Sequence, residues 1–305
     1  MESENTRFNI LIVGATGLLG SSITKYCLEK PNLIVNILIR NPDKDPELVS
    51  KVEKAGGKVI VGDLLKTETL KDCTKGMHTV VSVVNSLVDE RIFKDAQIAL
   101  IDDCVKNGVE RFVPSDFGLN YYNLPQEDLA KLLPFGNAKY YVHNYLKEKP
   151  IKTLQISIGA FLESVFADPF KGLNYWGDLD YKYQLTTCDD TGKITAAAVA
   201  RKDLTGDVVY VVNKLSAKEI SEIYEKVRGV KITPKRLGSL EDLSKKFEEK
   251  IQEKDQHAIF ILGIQKILTD KRSQFDENHL DNFPEVHPTS FEECLRQNPD
   301  GKIPE

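Results

Sequence analysis

The amino-acid sequence predicts an α/β fold: a parallel sheet wound with helices on both faces, followed by a smaller C-terminal α+β lobe. Three observations carry that prediction. Short apolar runs at 8–13, 33–39, 58–61, 79–84 and 111–113 alternate with helix-like segments at 17–30, 46–55, 67–75 and 92–107, the rhythm of βαβ units. Several of these runs are mainly apolar and read as continuous instead of alternating, as strands covered on both sides must. The first run is followed at once by Gly14-Ala15-Thr16-Gly17-Leu18-Leu19-Gly20, a glycine-punctuated turn that opens a helix and marks a sheet of Rossmann type.

Each glycine in that turn has a separate job. Gly14 permits the tight bend after the strand, Gly17 lets the backbone approach a pyrophosphate, and Gly20 lets the helix lie close to the sheet. The first helical N–H groups and the helix dipole then favour the phosphate charge, so Gly14, Thr16, Gly17, Leu18, Leu19 and Gly20 form the candidate phosphate-binding turn. A helix at about 135–149 ends before Pro150 and precedes a strand at 153–158. Residues 1–158 read as the nucleotide-binding domain, to which later strands are added, and 159–305 as the substrate-binding lobe and lid.

Beyond residue 160 the rhythm loosens. Asp168-Pro169 and 172–177 read as loop, Thr186-Thr187 closes a strand, and Asp189-Asp190 stands where it could cap a helix running to Arg201. A strand follows at 208–212, and Ser216 with Glu219 forms the signature of a capping box. The charged segment 240–255 suits a solvated helix and 257–268 a more apolar one.

Composition narrows the functional classes. The 305 residues carry a net charge of −5, which leaves no cationic excess to replace counterions on a nucleic acid. The chain lacks an apolar stretch of bilayer length and its first residues lack a secretory pattern, which points to a soluble, cytoplasmic protein with no membrane partner. Five cysteines are scattered without C-x-x-C spacing, so free, buried or half-buried thiols are expected and a metal site is not. Oligomeric state leaves no trace in the sequence.

The cofactor is read from the end of the second strand, where an acid binds a ribose 2′-hydroxyl and a base accommodates a 2′-phosphate. That position is Arg40, with Lys44 close by, which favours NADPH over NADH. Asp63 either hydrogen-bonds the adenine or caps the helix expected at 67–75. Hydride reduction also needs a group that manages the developing negative charge. The Tyr-x-x-x-Lys pair usual in short-chain dehydrogenases is broken here to Phe135-x-x-x-Lys139. A literal match, Tyr145 to Lys149, sits against Pro150, too far along the helix to serve. Lys139 is therefore the leading general acid or base, in a setting where a nicotinamide and an apolar wall would disfavour its charged form. His143, four residues on and on the same helical face, is a second catalytic candidate that would relay protons or touch substrate.

In these segments the chain resembles the NmrA-like atypical short-chain dehydrogenases, and within them the isoflavone-reductase-like branch that includes phenylcoumaran benzylic ether reductase. The likeness rests on the glycine turn, on Leu38-Ile39-Arg40, on Arg111 through Gly118 and on Ala138-Lys139, and continues through Ile158-Gly159-Ala160-Phe161 and Thr187 through Gly192. The resemblance implies that Arg40 binds the 2′-phosphate, that Ser115 lies with the cofactor, that Lys139 is catalytic and that Phe161 packs on the nicotinamide. It implies an NADPH-dependent reductase of a small aromatic or conjugated substrate, held between the nucleotide domain and the C-terminal lobe. The alternative it leaves open is a non-catalytic NADP(H)-sensing regulator. Asp116 replaces the glutamate common in the plant reductases, and Gly159-Ala160-Phe161 their Asn-Cys-Phe, which argues against plant phenylpropanoid substrates.

Overall fold

The computed structural model describes residues 7–84, 91–133, 136–166 and 173–298. Its strands are β1 (Phe8–Val13), β2 (Leu33–Ile39), β3 (Val59–Val61), β4 (Thr79–Ser82), β5 (Arg111–Val113), β6 (Lys152–Ser157), β7 (Ala160–Phe161), β8 (Asn174–Trp176), β9 (Tyr183–Thr186), β10 (Gly206–Val209), β11 (Asn213–Leu215) and β12 (Lys235–Gly238). The helices are α1 (Leu18–Leu28), α2 (Pro46–Lys54), α3 (Gln97–Lys106), α4 (Gln126–Leu132), α5 (Gly136–Lys147), α6 (Leu162–Phe166), α7 (Cys188–Ala200), α8 (Ala217–Arg228), α9 (Leu240–Glu253), α10 (Gln256–Leu268) and α11 (Phe291–Gln297).

Seven strands form one sheet in the order β10-β6-β5-β4-β1-β2-β3, and the pairs from β6 through β3 are parallel. Successive crossovers run one way from β1 to β3 and the other way from β4 to β6, so the order reverses between β1 and β4 and opens a crevice at their carboxyl ends. Leu11, Val13, Val80 and Phe112 pack on one face with Leu100, Ile101 and Cys104 of α3 and Ala138, Val142 and Leu146 of α5. Ile10, Ile12 and Val81, which alternate with them, are fully buried on the other face. Each such side chain contributes about 1.5–3 kcal/mol by leaving water, which is why these runs carry no polar alternation.

The chain divides into two compact units. One consists of residues up to Asp116 with Ala138–Ile156 and Thr191–Val208, the other of Phe117–Asn137, Ser157–Asp190 and residues from Val209 onward. The second unit contains the three-stranded sheet β11-β9-β7 and the pair β12-β8. The first thus takes its last segment from the C-terminal half of the chain.

Several elements depart from the sequence expectations, each for a local reason. The helix expected at 67–75 shrinks to a 3₁₀ turn at Thr67–Leu70, because the buried Asp103 carboxylate accepts the Asp72 and Thr74 N–H groups and holds the chain in turns, with Asp72 at φ +61°. The helix expected at 92–107 begins as a π-helix, Ile92–Ala96, in which Gln97 donates its side-chain amide to the Phe93 carbonyl at 2.8 Å. The helix before Arg201 is capped by Thr187, whose hydroxyl accepts the Asp190 N–H, and not by the aspartates. Part of the loop expected at 172–177 is strand β8. The capping box of Ser216 and Glu219 forms as expected, and α8 ends on Gly229 in the left-handed conformation. Asp168-Pro169 and Phe135 lie outside the described residues. All five cysteines are free and buried, and burial pushes the Cys27 and Cys73 thiols up to about 12.

Candidate functional site

The glycine turn lies at the β1 carboxyl end, where two backbones meet. Gly14 adopts φ +90°, and a Cβ there would stand 2.2 Å from the Val83 carbonyl oxygen just beyond β4. A Cβ at Gly20 would stand 1.9 Å from the Gly14 oxygen, so α1 leaves the turn at a distance only glycine permits. The Gly17 N–H donates to the Gly14 carbonyl at 3.0 Å, which closes the bend. Gly17 is the N-cap of α1 and offers no capping side chain. Its Cβ position, in contrast, is 3.4 Å from the nearest atom, with φ at −76°. Thr16, Gly17 and Leu18 are exposed and Leu19 is half-buried, while Ala15 is buried beneath them. The turn is therefore built tightly below and left open above, the form a pyrophosphate cradle takes.

Arg40 is exposed directly after β2, and the Asn41 side chain turns the chain into a 3₁₀ segment, Pro42–Lys44, that leaves Lys44 exposed as well. Asp63 accepts the Leu65 N–H at 3.0 Å, and its own N–H donates to the Thr69 hydroxyl. Its carboxylate thus turns its own loop, and the 3₁₀ segment that follows has Lys66 as N-cap.

Lys139 belongs to the same unit as the glycine turn. It comes from α5, whose early residues pack Ala138 and Val142 into the core, and its Nζ is carried to the carboxyl end of β5. There it donates to the Ser115 carbonyl at 3.3 Å and to Asp116 Oδ1 at 3.1 Å, and stands 4.8 Å from the centre of the Phe93 ring. The side chains of Lys139 and Asp116 are each only 6% exposed. The expectation of an apolar wall is therefore corrected: one face of the ammonium meets an aromatic ring, and another meets a buried carboxylate.

Ser115 ties this place to the turn. Its hydroxyl lies 3.0 Å from that of Ser82 and accepts the Val84 N–H at 2.8 Å, one residue after the Val83 carbonyl that crowds Gly14. The Ser115 N–H donates to Gln97 Oε1 at 3.0 Å, and Gln97 also caps Phe93. One buried amide thereby fixes both the ring and the strand end that flank Lys139. His143 follows one helical turn later and is half-buried. Burial pulls its imidazole below the ordinary range and Lys147 adds to this, while Asp116 and Asp207 oppose it.

Phe161 lies in the second unit, on β7, half-buried and paired with Thr186 of β9. Two residues on, Glu163 accepts the Cys188 N–H with one carboxylate oxygen, while the other has no hydrogen-bond partner among the described residues. Trp176 and Phe283, in the same unit, are buried. Tyr145 and Lys149 both engage Asp102, at 2.6 and 3.1 Å.

Asp116, Gln97 and Phe93 are the members of the Lys139 surround that sequence reasoning did not bring together. Asp116 stands in the conspicuous Pro114-Ser115-Asp116 run, yet nothing in the spacing pairs it with a lysine 23 residues later. A glutamine that is fully buried, as Gln97 is, leaves no periodic signal, because its role depends on the Ser115 N–H, supplied by another segment.

Strand order, parallel register and the glycine turn at the reversal define an α/β protein of Rossmann type. The model of the NmrA-like family matches residues 6–295, and the chain belongs to that family. Pinoresinol reductase 1 of Arabidopsis thaliana is 23% identical over 318 residues, covering 96% of this chain and 97% of the relative. Phenylcoumaran benzylic ether reductase PT1 of Pinus taeda is 25% identical over 238 residues, 72% of this chain and 75% of its own. The chloroplastic high chlorophyll fluorescence phenotype 244 protein of Arabidopsis thaliana is matched over only 50% of its length. Among solved structures, the binary complex of leucoanthocyanidin reductase with NADPH from Vitis vinifera superposes with a TM-score of 0.77 at 22% identity, covering 95% of this chain and 98% of that one. Among the described residues no helix is long and apolar enough to cross a membrane.

Proposed function

We propose that this protein is an NADPH-dependent reductase of a small aromatic or conjugated substrate, with Lys139 managing the proton. The observation that carries the reading is the place of Lys139: a buried side-chain nitrogen at the carboxyl end of β5, linked through Ser115 and Val84 to the glycine turn. The sequence relatives named as reductases, and the leucoanthocyanidin reductase structure that holds NADPH, support it.

The residues present fit a phosphorylated dinucleotide. The turn, packed against backbone at Gly14 and Gly20 and open at Thr16, Gly17, Leu18 and Leu19, would hold the pyrophosphate. Arg40 and Lys44, both exposed, would take the 2′-phosphate, for which a planar guanidinium supplies a fork of donors. Asp63 would meet the adenine, Ser115 would line the nicotinamide side, and Phe161 would pack on that ring. When bound, the cofactor supplies a hydride; the chain's own residues bind it, exclude water and govern the proton. Lys139 does so at Nζ, and His143, one turn away, is the group through which that proton is exchanged with solvent.

The test is calorimetric titration with NADPH and NADH, followed by a screen of aldehydes, quinones and enones for NADPH consumption by wild type and Lys139→Ala. Selective NADPH binding and consumption lost in Lys139→Ala is the expected result. Tight binding with no consumption of any acceptor, unchanged by Lys139→Ala, would replace the reductase with an NADP(H) sensor.

A further inference from the structure

We propose that Gln97 is a positioning residue of the reaction site, acting on Lys139 through the Phe93 ring on one side and the Ser115 carbonyl on the other. The proposal rests on the reductase reading and adds to it the residue that keeps the site in register.

Gln97 follows the π-helical segment Ile92–Ala96 at the start of α3. Its main-chain N–H donates to the Lys94 carbonyl, three residues back. The Phe93 carbonyl, which an α-helix would give to that N–H, is met instead by the Gln97 side chain at 2.8 Å. The other end of the same amide accepts the Ser115 N–H at 3.0 Å, from a strand end 18 residues later. A carbonyl needs a donor and an N–H needs an acceptor, and a primary amide supplies both without charge. Asparagine is one methylene shorter, methionine has no N–H, and a carboxylate accepts but cannot donate. Gln97 is fully buried, so either group left unmet would carry its full desolvation penalty.

Both bonded residues flank the lysine. The centre of the Phe93 ring lies 4.8 Å from Nζ, and the Ser115 carbonyl accepts from Nζ at 3.3 Å. Phe93 carries its ring on the π-turn that the amide braces, and Ser115 offers its carbonyl from the residue whose N–H the amide holds. Ser115 extends the link, since its hydroxyl accepts the Val84 N–H at 2.8 Å and lies 3.0 Å from that of Ser82. One amide therefore joins the start of α3 to the carboxyl end of β5 and, through Ser115, to that of β4. A lysine stem is flexible, and a ring and a carbonyl held in fixed places restrict where its nitrogen can rest. π-turns recur at functional sites, and the side chain this one presents is Phe93. Misplacing a reacting group by about 1 Å lowers a rate on the order of 100-fold, so the bonds of Gln97 govern turnover as well as folding.

The experiment has two arms, both on the full chain at a temperature where circular dichroism shows each variant folded. In the first, NMR observes lysine labelled at the ε-carbon. Lys139→Met assigns the Lys139 signal, and Phe93→Leu measures what the ring contributes to it, because an aromatic face shifts nearby protons upfield. We expect an upfield Lys139 signal in wild type and most of that shift lost in Gln97→Met. In Gln97→Glu the shift should be present in mild acid and disappear as pH rises. The sign follows from the chemistry: a protonated carboxyl has the donor and the acceptor of the amide, a carboxylate only accepts, and burial raises a carboxyl above its ordinary range. In the second arm, NADPH consumption is followed with menadione as the acceptor. We expect kcat lowered on the order of 10-fold or more in Gln97→Met, with the KM for NADPH kept within about twofold. Gln97→Glu should match wild type in mild acid and lose kcat as pH rises, in step with its NMR shift. An unmoved Lys139 signal or an unchanged kcat in folded Gln97→Met overturns the proposal, as does a Gln97→Glu protein equally active in acid and at neutral pH. If wild type consumes NADPH with neither menadione nor any acceptor of the screen, the reductase reading fails by itself, and the NMR arm still decides whether Gln97 sets the place of Lys139. Should Gln97→Met not fold, Gln97→Glu compared with itself across pH carries both readouts.

Discussion

Two glycines in one turn make opposite demands, and alanine at each separates fold from binding. At Gly20 a methyl would stand 1.9 Å from the Gly14 oxygen and 2.8 Å from its carbon. That is about 1.5 Å inside ordinary contact, and the obstacle is backbone, so α1 must move off the sheet. Overpacking of this severity costs about 3 kcal/mol or more, which lowers Tm by roughly 6–12 °C in a unit of this size. At Gly17 the same methyl meets its nearest neighbour at 3.4 Å with φ at −76°, so the cost is only that of a poorer N-cap, about 1 kcal/mol or less. Gly17 is exposed where the pyrophosphate is proposed to sit. Gly17→Ala should therefore melt within a few degrees of wild type and yet bind NADPH at least tenfold more weakly, whereas Gly20→Ala should lose stability first. Thermal unfolding by circular dichroism and NADPH titration by fluorescence provide the two readouts. Undiminished NADPH affinity in a folded Gly17→Ala protein would refute the phosphate cradle, and an unshifted Tm in Gly20→Ala would refute the close approach of α1.

Arg40→Ala is expected to weaken NADPH binding about tenfold or more, the loss of one charge-assisted contact, and to leave NADH affinity unchanged in parallel titrations. Arg111, buried at the base of β5, donates to the carbonyls of Val199, Arg201 and Leu204 at 2.6–2.8 Å and so closes the C-terminal end of α7. Arg111→Met should cost about 3–5 kcal/mol, read as a lower urea midpoint, and an unchanged midpoint would show that the contacts contribute nothing. Glu163 has its carboxyl pushed up, first by burial and then by Asp190 and Asp189, against the pull of the N–H groups it accepts. A folded-state value above the unfolded one means that stability is greatest in acid and declines as pH rises from about 4.5 through the raised value. Glu163→Gln should therefore raise Tm at neutral pH, with the gain disappearing in acid; a gain equal at every pH would contradict the titration.

Sequence alone determined the first half of the sheet. An apolar run such as Phe8–Val13 has one stable use, a strand covered on both faces, and the glycines after it have one stable geometry, because both properties are local and steric. The same locality made Arg40 legible, since the end of a strand is also the end of its apolar run, and it made the Ser216–Glu219 cap legible. The remaining features depend on groups far apart in the chain. Asp103 unwinds the helix expected at 67–75 by taking N–H groups some thirty residues away, and Gln97 shapes a π-turn by bridging Phe93 to Ser115. Lys139 could be named from its position on a helix, but its partner Asp116 came from packing α5 against the end of β5. A buried ion pair needs two desolvated groups at a fixed separation, and that separation is set by the fold as a whole and not by any run of residues.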